Sequence, residues 1–233
     1  VLGDEEKRTR YDQGEDIDDM GSGMGGGGFN PFGGGGQQFT FHFEGGFPGG
    51  VNSTTGSAIF YTYYEAQKPR TPLSETPILI WLQGGPGCSS MLGNFYELGP
   101  WRVSSSHGQN VEHLSLERNP GSWNRIFGLL FLDNPIGTGF SVASSPEEIP
   151  TNQHDVAKHL FIATRKFVAL DSLFENRPIY LTGESYAGKY VPAFGYYTLK
   201  KNKGLPKSRR LNLAGVAIGN GLTDPKLKWA LML

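Results

Sequence analysis

The chain has 233 residues, of which 37% are hydrophobic, and a formal net charge of −1. This length allows one full domain, or one domain and a tail. No apolar run is long enough to cross a bilayer, and the near-neutral charge creates no strong field. We therefore expect neither a membrane nor a nucleic acid as a partner. Residues 1–50 carry three basic and nine acidic side chains, whereas residues 51–233 carry 18 basic and 13 acidic. This uneven charge predicts two unlike pieces that meet near residue 50.

The first piece has the composition of a tail. Residues 1–20 are highly charged and predict a short helix followed by an acidic segment. Residues 21–50 are rich in Gly and Phe, and such a tract buries too little apolar surface to offset its ordering entropy, so we expect disorder. The start of the chain, Val1-Leu2-Gly3-Asp4, resembles the last helix of a J-domain followed by its Gly/Phe-rich region. The His-Pro-Asp motif through which that family stimulates Hsp70 does not occur in the sequence, so we expect no Hsp70 partner.

The second piece alternates predicted strands and helices. Short apolar or β-rich runs predict strands at 59–64, 78–82, 125–133, 178–182 and 211–218. Apolar side chains recur every three or four residues in the first predicted helix, 152–174, and a second helix is predicted at 186–201. This alternation predicts an α/β fold with a mostly parallel sheet and helices on both faces.

The strongest chemical signal is Gly183-Glu184-Ser185-Tyr186-Ala187-Gly188, between a predicted strand and a predicted helix. A serine at such a turn projects its hydroxyl above the sheet, where it can act as a nucleophile. Gly183 and Ala187 flank Ser185 at minus two and plus two, where crowding is greatest, although the usual pattern has Gly at plus two. The alternative is an ordinary turn serine that caps a helix.

A second motif, Gln83-Gly84-Gly85-Pro86-Gly87, follows the predicted strand at 78–82. Glycines let the backbone approach a ligand closely and turn its N–H groups toward the ligand. Such donors suit the oxyanion that forms during acyl transfer. A Gly/Pro turn without chemistry would also account for the glycines, but not for so particular a string.

Five strings resemble the serine carboxypeptidases in their order along the chain, and they look most like the plant branch of that family. They are WLQGGPGCSS at 81–90, NFYELGP at 94–100, DNPIGTGFS at 133–141, GESYAGKYVP at 183–192 and IGNGLTDP at 218–225. The resemblance extends over nearly all of residues 51–233. It implies an α/β-hydrolase fold, of which this chain would hold the N-terminal part, and an activity that releases C-terminal residues from peptides.

The resemblance also implies roles for individual residues. Ser185 would attack the C-terminal peptide carbonyl of a substrate with a free C terminus, and the backbone N–H groups of Gly85 and Tyr186 would form the oxyanion hole. The residues that would bind the substrate are Trp81, Gln83, Gly84, Glu97 and Glu184. Of these, Gln83 and Glu184 would hydrogen-bond its free carboxylate, and Trp81 would line the same subsite.

Within this group, Gln83 differs from the usual family residue, and Glu97 and Glu184 form a pair of carboxyls. The family usually has Asn at the position of Gln83, and Gln carries the same amide on a side chain that is one methylene longer. Glu97 matches the carboxyl partner of Glu184. Two carboxyls that share a proton have a raised pKa, because one negative charge disfavours the second. The resemblance therefore implies that substrate binding is favoured at acidic pH.

Hydrolases of this fold place an Asp and then a His after the nucleophile. All five histidines precede Ser185, and the one following aspartate, Asp224, is too close to the turn to match the family's acid. Without a base the serine hydroxyl is a weak nucleophile, so we expect a truncated chain that is inactive or impaired. His154 and His159 lie on a predicted amphipathic helix, where we expect a solvated or capping role.

The remaining expectations concern covalent chemistry and location. Cys88 matches a family cysteine that pairs with a distant one, and the chain has no second cysteine. Asn52-Ser53-Thr54 is a glycosylation sequon, which suits a family that is secretory, vacuolar or extracellular, although the N terminus shows no signal peptide. We expect no cofactor and no metal. Two other functions stay open, which are transfer of acyl groups from glucose esters and a non-catalytic fragment.

Overall fold

The computed structural model describes residues 40–42, 56–108, 111–224 and 226, with side chains described outside 40–42 and 106–113. These residues belong to one compact unit, residues 36–233. The predicted helix at 1–20 lies outside the described residues. So does the Gly/Phe-rich tract, apart from a short strand at its residues 40–42. The J-domain resemblance and the boundary near residue 50 therefore stay predictions.

In the described residues, eight strands form a six-stranded sheet and a separate two-stranded hairpin. They are β1 (Thr40–His42), β2 (Tyr61–Tyr64), β3 (Ile78–Leu82), β4 (Trp101–Gly108), β5 (Val111–Arg118), β6 (Gly128–Leu132), β7 (Ile179–Glu184) and β8 (Leu213–Gly219). The sheet has the order β1-β2-β6-β3-β7-β8. The pairs β1–β2 and β2–β6 are antiparallel, and the pairs β6–β3, β3–β7 and β7–β8 are parallel. The hairpin is β4–β5, with all eight residue pairs in register. The prediction of a mostly parallel sheet is confirmed.

The central strands explain why apolar runs identified the sheet. All five residues of β3 (ILIWL) and all five of β6 (GLLFL) are buried. Strands of a parallel sheet are covered on both faces, so they are apolar throughout instead of alternating. The hairpin β4–β5 was not predicted, because its serines, charges and scattered apolar residues form no such run.

Two long helices cover one face of the sheet. Helix α1 (Gln153–Val168) begins where the side chain of Asn152 accepts the Asp155 backbone N–H at 3.0 Å, and helix α2 (Ala187–Lys203) follows β7 directly. The two helices pack against each other and share one core cluster with the sheet. A π-helical segment, Gly93–Leu98, packs Phe95 and Leu98 against the other face, so helical segments lie on both faces. In the described part of the chain, no helix is long and apolar enough to cross a membrane.

Helix α1 is shorter than predicted, because it ends at Val168 and not at residue 174. Asp171 then caps a separate short 3-10 turn, Ser172–Phe174, by accepting the Leu173 N–H at 2.9 Å. As a result Leu170, which continued the helical apolar pattern, is 47% exposed. The side-chain cap at Asp171, three residues beyond the last helical residue, competes with the apolar periodicity.

An ion pair between the buried Arg177 and Glu65, whose side chain is 28% exposed, stabilises the end of the sheet where β7 begins. Arg177 is fully buried and donates to Glu65 through two nitrogens, at 2.7 and 2.9 Å. It also donates to the hydroxyl of Tyr63 at 3.1 Å and to the carbonyl of Thr76 at 2.5 Å. These bonds connect β2 to the segments that precede β3 and β7. No role for Arg177 or Glu65 was predicted from the sequence.

Candidate active site

Ser185 lies in the turn between β7, which ends at Glu184, and α2. Its φ angle is +57°, in the left-handed region that side chains other than glycine rarely adopt. The Ser185 N–H donates to the carbonyl of Gly219 at 3.0 Å, and its carbonyl accepts the Leu222 N–H at 2.7 Å. The segment after β8 therefore holds the strained turn in place, and the predicted strand–turn–helix arrangement is present.

The turn is so tight that its flanking positions admit only small residues. A Cβ atom added at Gly183 would clash with the carbonyl oxygen of Leu82 and would lie 2.7 Å from the Cβ of Ala187. Both contacts are shorter than atoms of a folded chain tolerate. This crowding explains why small residues stand at minus two and plus two from the serine.

The glycine-rich segment after β3 lies directly against this turn. A Cβ added at Gly84 would lie 2.6 Å from the backbone nitrogen of Tyr186 and 2.8 Å from the Cβ of Ser185. Only a glycine allows this approach. The next residue, Gly85, has a φ of +109°, so its peptide takes an orientation open to glycine. The structure thus brings the two segments that carry the predicted oxyanion-hole amides, at Gly85 and Tyr186, side by side.

A buried carboxylate, Asp133, fixes the far end of the glycine segment. It accepts the Ser89 hydroxyl at 2.7 Å, the Ser90 N–H at 2.7 Å and the Phe140 N–H at 2.8 Å. Burial raises the pKa of Asp133, against the lowering effect of these bonds. Asp133 stands first in the string DNPIGTGFS, but no role for it was predicted from the sequence. The sequence feature that could have identified Asp133 is its position directly after an apolar run that predicts a buried strand.

Tyr190 supports the same segment from helix α2. Its side chain is 2% exposed, and its oxygen is hydrogen-bonded to the backbone of Gly87. Burial is the main cause that raises the pKa of Tyr190 to about 12, so the hydroxyl stays neutral. The Tyr190 ring packs edge-on against Tyr186 at 5.2 Å. The glycine segment is therefore held from both sides, and sequence reasoning missed this residue as well.

The residues expected to bind a carboxylate meet next to the serine. The amide nitrogen of Gln83 donates to Glu184 at 2.6 Å, and the indole N–H of Trp81 donates to the amide oxygen of Gln83 at 2.8 Å. Gln83 is buried. The indole thus fixes which end of the amide faces Glu184, and the longer Gln side chain still reaches the carboxyl.

Glu97, in the π-helical segment, completes this cluster. Burial raises its pKa, and so do the charge of Glu184 and a hydrogen bond to that carboxyl, whereas the Gln83 amide lowers it. These interactions show that the carboxyl groups of Glu97 and Glu184 lie close together. The direction for Glu97 is the one expected for a carboxyl beside another carboxyl.

The expectation for His159 was wrong. It lies in the middle of α1, is 7% exposed, and its Nδ1 has no partner in the described part of the chain. Burial and the charge of Lys158 lower its pKa, and the side chain lines a pocket together with the loop residues Glu147 and Glu148. His154 packs edge-on against Tyr197 at 5.3 Å, and the cap of α1 is Asn152. Among the described residues, no group of three His, Cys, Asp or Glu side chains could hold a metal ion.

Comparisons with known proteins agree with this geometry. The family model for serine carboxypeptidases matches residues 34–233. Serine carboxypeptidase-like 50 of Arabidopsis thaliana is 62% identical over 175 residues, which are 75% of this chain and 37% of that protein. Serine carboxypeptidase S10 family member 1 of Dictyostelium discoideum is 40% identical, over 77% of this chain and 40% of its own length.

Among solved structures, the prohormone-processing carboxypeptidase Kex1 of Saccharomyces cerevisiae is similar with a TM-score of 0.70 and 30% identity. The match covers 84% of this chain and 42% of that one. This chain thus spans roughly two fifths of the proteins that it matches, and the shared fold is that of the α/β-hydrolases. The family match, together with the left-handed serine, the glycine segment against it and the carboxyl cluster, shows that the chain belongs to the serine carboxypeptidase family.

Proposed function

We propose that the chain is part of a serine-type carboxypeptidase, which releases C-terminal residues from peptides. The observation that carries this proposal is the carboxyl cluster of Gln83, Glu97 and Glu184 immediately beside Ser185. A site that binds a free carboxylate one residue away from a nucleophile selects the last peptide bond of a chain, because the scissile carbonyl lies one residue before that carboxylate.

In the proposed reaction, the hydroxyl oxygen of Ser185 attacks the carbonyl carbon of the last peptide bond. The carbonyl oxygen becomes an oxyanion, which the backbone N–H groups of Gly85 and Tyr186 stabilise. The base takes the Ser185 proton and gives it to the leaving nitrogen as the C–N bond breaks, so the C-terminal residue leaves as a free amine. Water then hydrolyses the acyl-enzyme, which releases the shortened peptide and restores the Ser185 hydroxyl. In the chain order of this fold, the acid and the histidine base follow the nucleophile, so we assign them to a longer form of the protein.

The carboxyl cluster makes substrate binding depend on pH in this proposal. When Glu97 is protonated, its O–H and the Gln83 amide can donate to the substrate carboxylate. When Glu97 is ionised, its negative charge repels that carboxylate. Because burial and the charge of Glu184 raise the pKa of Glu97, its protonated, binding-competent form persists above the pH range of an ordinary glutamate. This dependence and the sequon at Asn52 support a secretory or vacuolar location.

Binding of two matched peptides tests the proposal. A fluorescent peptide with a free C terminus should bind the chain at about pH 5 and lose affinity by about pH 8, and its C-terminal amide should bind weakly at both. Gln83→Ala should reduce the difference between the two peptides, and Gln67→Ala, remote from the cluster, should leave it unchanged. Equal affinity for the acid and the amide would contradict peptide carboxylate recognition and favour acyl transfer.

Reactivity of the serine tests the nucleophile separately. An alkyl phosphonate should label Ser185 in a form of the protein extended to include an Asp and a His, and Ser185→Ala should abolish the labelling. Labelling that persists in Ser185→Ala would assign the reactive group to another residue.

A further inference from the structure

A basic surface occupies the end of the molecule that lies away from Ser185. Helix α2 starts next to the serine and runs for 17 residues, about 25 Å, so its C terminus lies at the opposite end of the sheet. The last turns of both helices and the segment before β8 carry cationic side chains at this end. We call this group the basic end, and its members are Arg165, Lys166, Lys200, Lys201, Lys203, Lys207, Arg209 and Arg210.

Three cations of the basic end have no acidic partner among the described residues. Lys203, Lys207 and Arg209 are exposed and form no salt bridge with an acidic side chain in the described part of the chain. Burial and the charge of Arg209 lower the pKa of Arg165, whereas the charge of Glu175 acts in the opposite direction, so one anion lies near Arg165. The acidic side chains at this end are fewer and exposed, and one of them, Asp171, caps a backbone N–H at 2.9 Å.

Large apolar side chains protrude from the same end. Leu73, Leu170 and Leu173 are 37%, 47% and 45% exposed. The short helix Leu73–Glu75 contacts the 3-10 turn Ser172–Phe174, so these leucines belong to neighbouring segments. The side chain of Asn212 donates to the carbonyl of Asn176 at 2.8 Å and ties the segment that carries the cations to the segment that carries the leucines.

We propose that the basic end binds the surface of an anionic lipid bilayer. Cations near such a surface are attracted to its headgroups, and leucines among them can enter the boundary between headgroups and acyl chains. A nucleic acid or an acidic protein segment would use the cations but would gain little from protruding leucines. The sequence-based expectation of no membrane partner rested on the lack of a spanning segment, which surface binding does not require.

Binding through the basic end would leave the turn at Ser185 accessible from solution. With the basic end on a bilayer, the turn at Ser185 faces away from the lipid by the length of α2, about 25 Å. Peptides in solution could then reach the serine while the protein stays on the membrane. The proposal does not depend on the proposed peptidase function, because it concerns a different end of the molecule.

Cosedimentation of the full chain with vesicles tests the proposal. We expect binding to phosphatidylcholine vesicles that contain about 30% phosphatidylserine, no binding to pure phosphatidylcholine, and weaker binding at about 0.5 M than at about 0.1 M salt. The triple variant Lys203→Glu, Lys207→Glu, Arg209→Glu should reduce the partition coefficient on the order of 100-fold. No binding of the natural chain to the anionic vesicles would overturn the proposal.

A control variant with the same change in net charge at another place tests whether the position of the cations matters. The triple variant Arg102→Glu, Arg118→Glu, Lys226→Glu changes exposed cations on the hairpin and after the carboxyl end of β8, and it should change the partition coefficient by less than about threefold. If both triple variants weaken binding equally, the basic end is not the binding surface. Circular dichroism and urea unfolding confirm that each variant is folded.

The leucines distinguish a bilayer from other polyanions. The variant Leu170→Ser, Leu173→Ser should weaken binding about tenfold or more, because less apolar surface enters the bilayer. The matched variant Leu114→Ser, Leu116→Ser on β5, also exposed, should bind as the natural chain does. If the charge variant loses binding and the leucine variant does not, the partner is a polyanion that offers no apolar layer, and the lipid proposal is wrong.

Discussion

Replacing Glu65 by glutamine tests how strongly its ion pair with the buried Arg177 holds the sheet together. Arg177 is fully buried, and two of its hydrogen bonds, at 2.7 and 2.9 Å, end on the Glu65 carboxylate. Glutamine keeps the shape of the side chain but removes its charge and one of its two acceptors. The Tyr63 hydroxyl and the Thr76 carbonyl would remain as neutral partners of a buried cation. Breaking a fully buried pair from one side costs about 3–5 kcal/mol, and because the Glu65 side chain is 28% exposed we expect a loss of about 2–3 kcal/mol of unfolding free energy.

Urea unfolding followed by tryptophan fluorescence measures this loss, and its pH dependence adds a second test. Burial alone would raise the pKa of Glu65, but the hydrogen bonds and charge of Arg177 outweigh burial and lower the pKa below 4.5. Because the pKa of Glu65 is lower in the folded chain than in the unfolded chain, the ion pair stabilises the natural chain at pH values above the unfolded pKa. That stabilisation is lost as pH falls through the folded value. The Glu65→Gln variant should lack this contribution to acid sensitivity.

Glu75→Gln is the matched control, since Glu75 is exposed, and it should change the unfolding free energy by less than about 0.5 kcal/mol. A loss below about 1 kcal/mol for Glu65→Gln would refute the reasoning, because it would mean that Arg177 finds water or another acceptor without cost.

Three further predictions concern the site. Gly84→Ala places a Cβ 2.6 Å from a backbone nitrogen, so it should destabilise the chain by about 2 kcal/mol, whereas Gly219→Ala, with its nearest contact at 3.7 Å, should be tolerated in urea unfolding. Ser185→Gly relieves the left-handed φ of +57° and should be about 0.5–1 kcal/mol more stable than Ser185→Ala, and equal stability would contradict backbone strain. Because burial and Glu184 raise the pKa of Glu97, the natural chain loses stability as pH rises from 4.5 through that raised value. The unfolding free energy of Glu97→Gln should therefore rise relative to that of the natural chain only at pH values above the raised pKa. The same difference between the two chains below and above that pKa would contradict the raised value.

Much of the site could be predicted because its residues stand next to each other in the sequence. The turn at Ser185 requires small neighbours within two residues on either side, and the segment at Gly84 requires consecutive glycines. Such requirements are local, so they leave a visible string. The carboxyl cluster of Gln83, Glu97 and Glu184 was instead assigned through the family resemblance, since no spacing rule connects its members.

The supporting residues could not be predicted in this way. Asp133 binds Ser90 from 43 residues along the chain, and Tyr190 reaches the Gly87 backbone from a different element. The end of α1 at Val168 was also missed, because the cap by Asp171 competes with an apolar pattern that continues past it. A partner that is distant in sequence has no fixed offset, and only packing selects it.

The amino-acid sequence by itself determined the strand–turn–helix at the serine, the glycine segment, and the buried central strands, because each depends on neighbouring residues and on the period of apolar side chains. Only the tertiary structure decided which charges are paired, such as Glu65 with Arg177 at 112 residues' separation, and which cations and leucines share the basic end. The physical reason is that burial and charge pairing act through space, and the folding of the sheet determines which distant residues become neighbours.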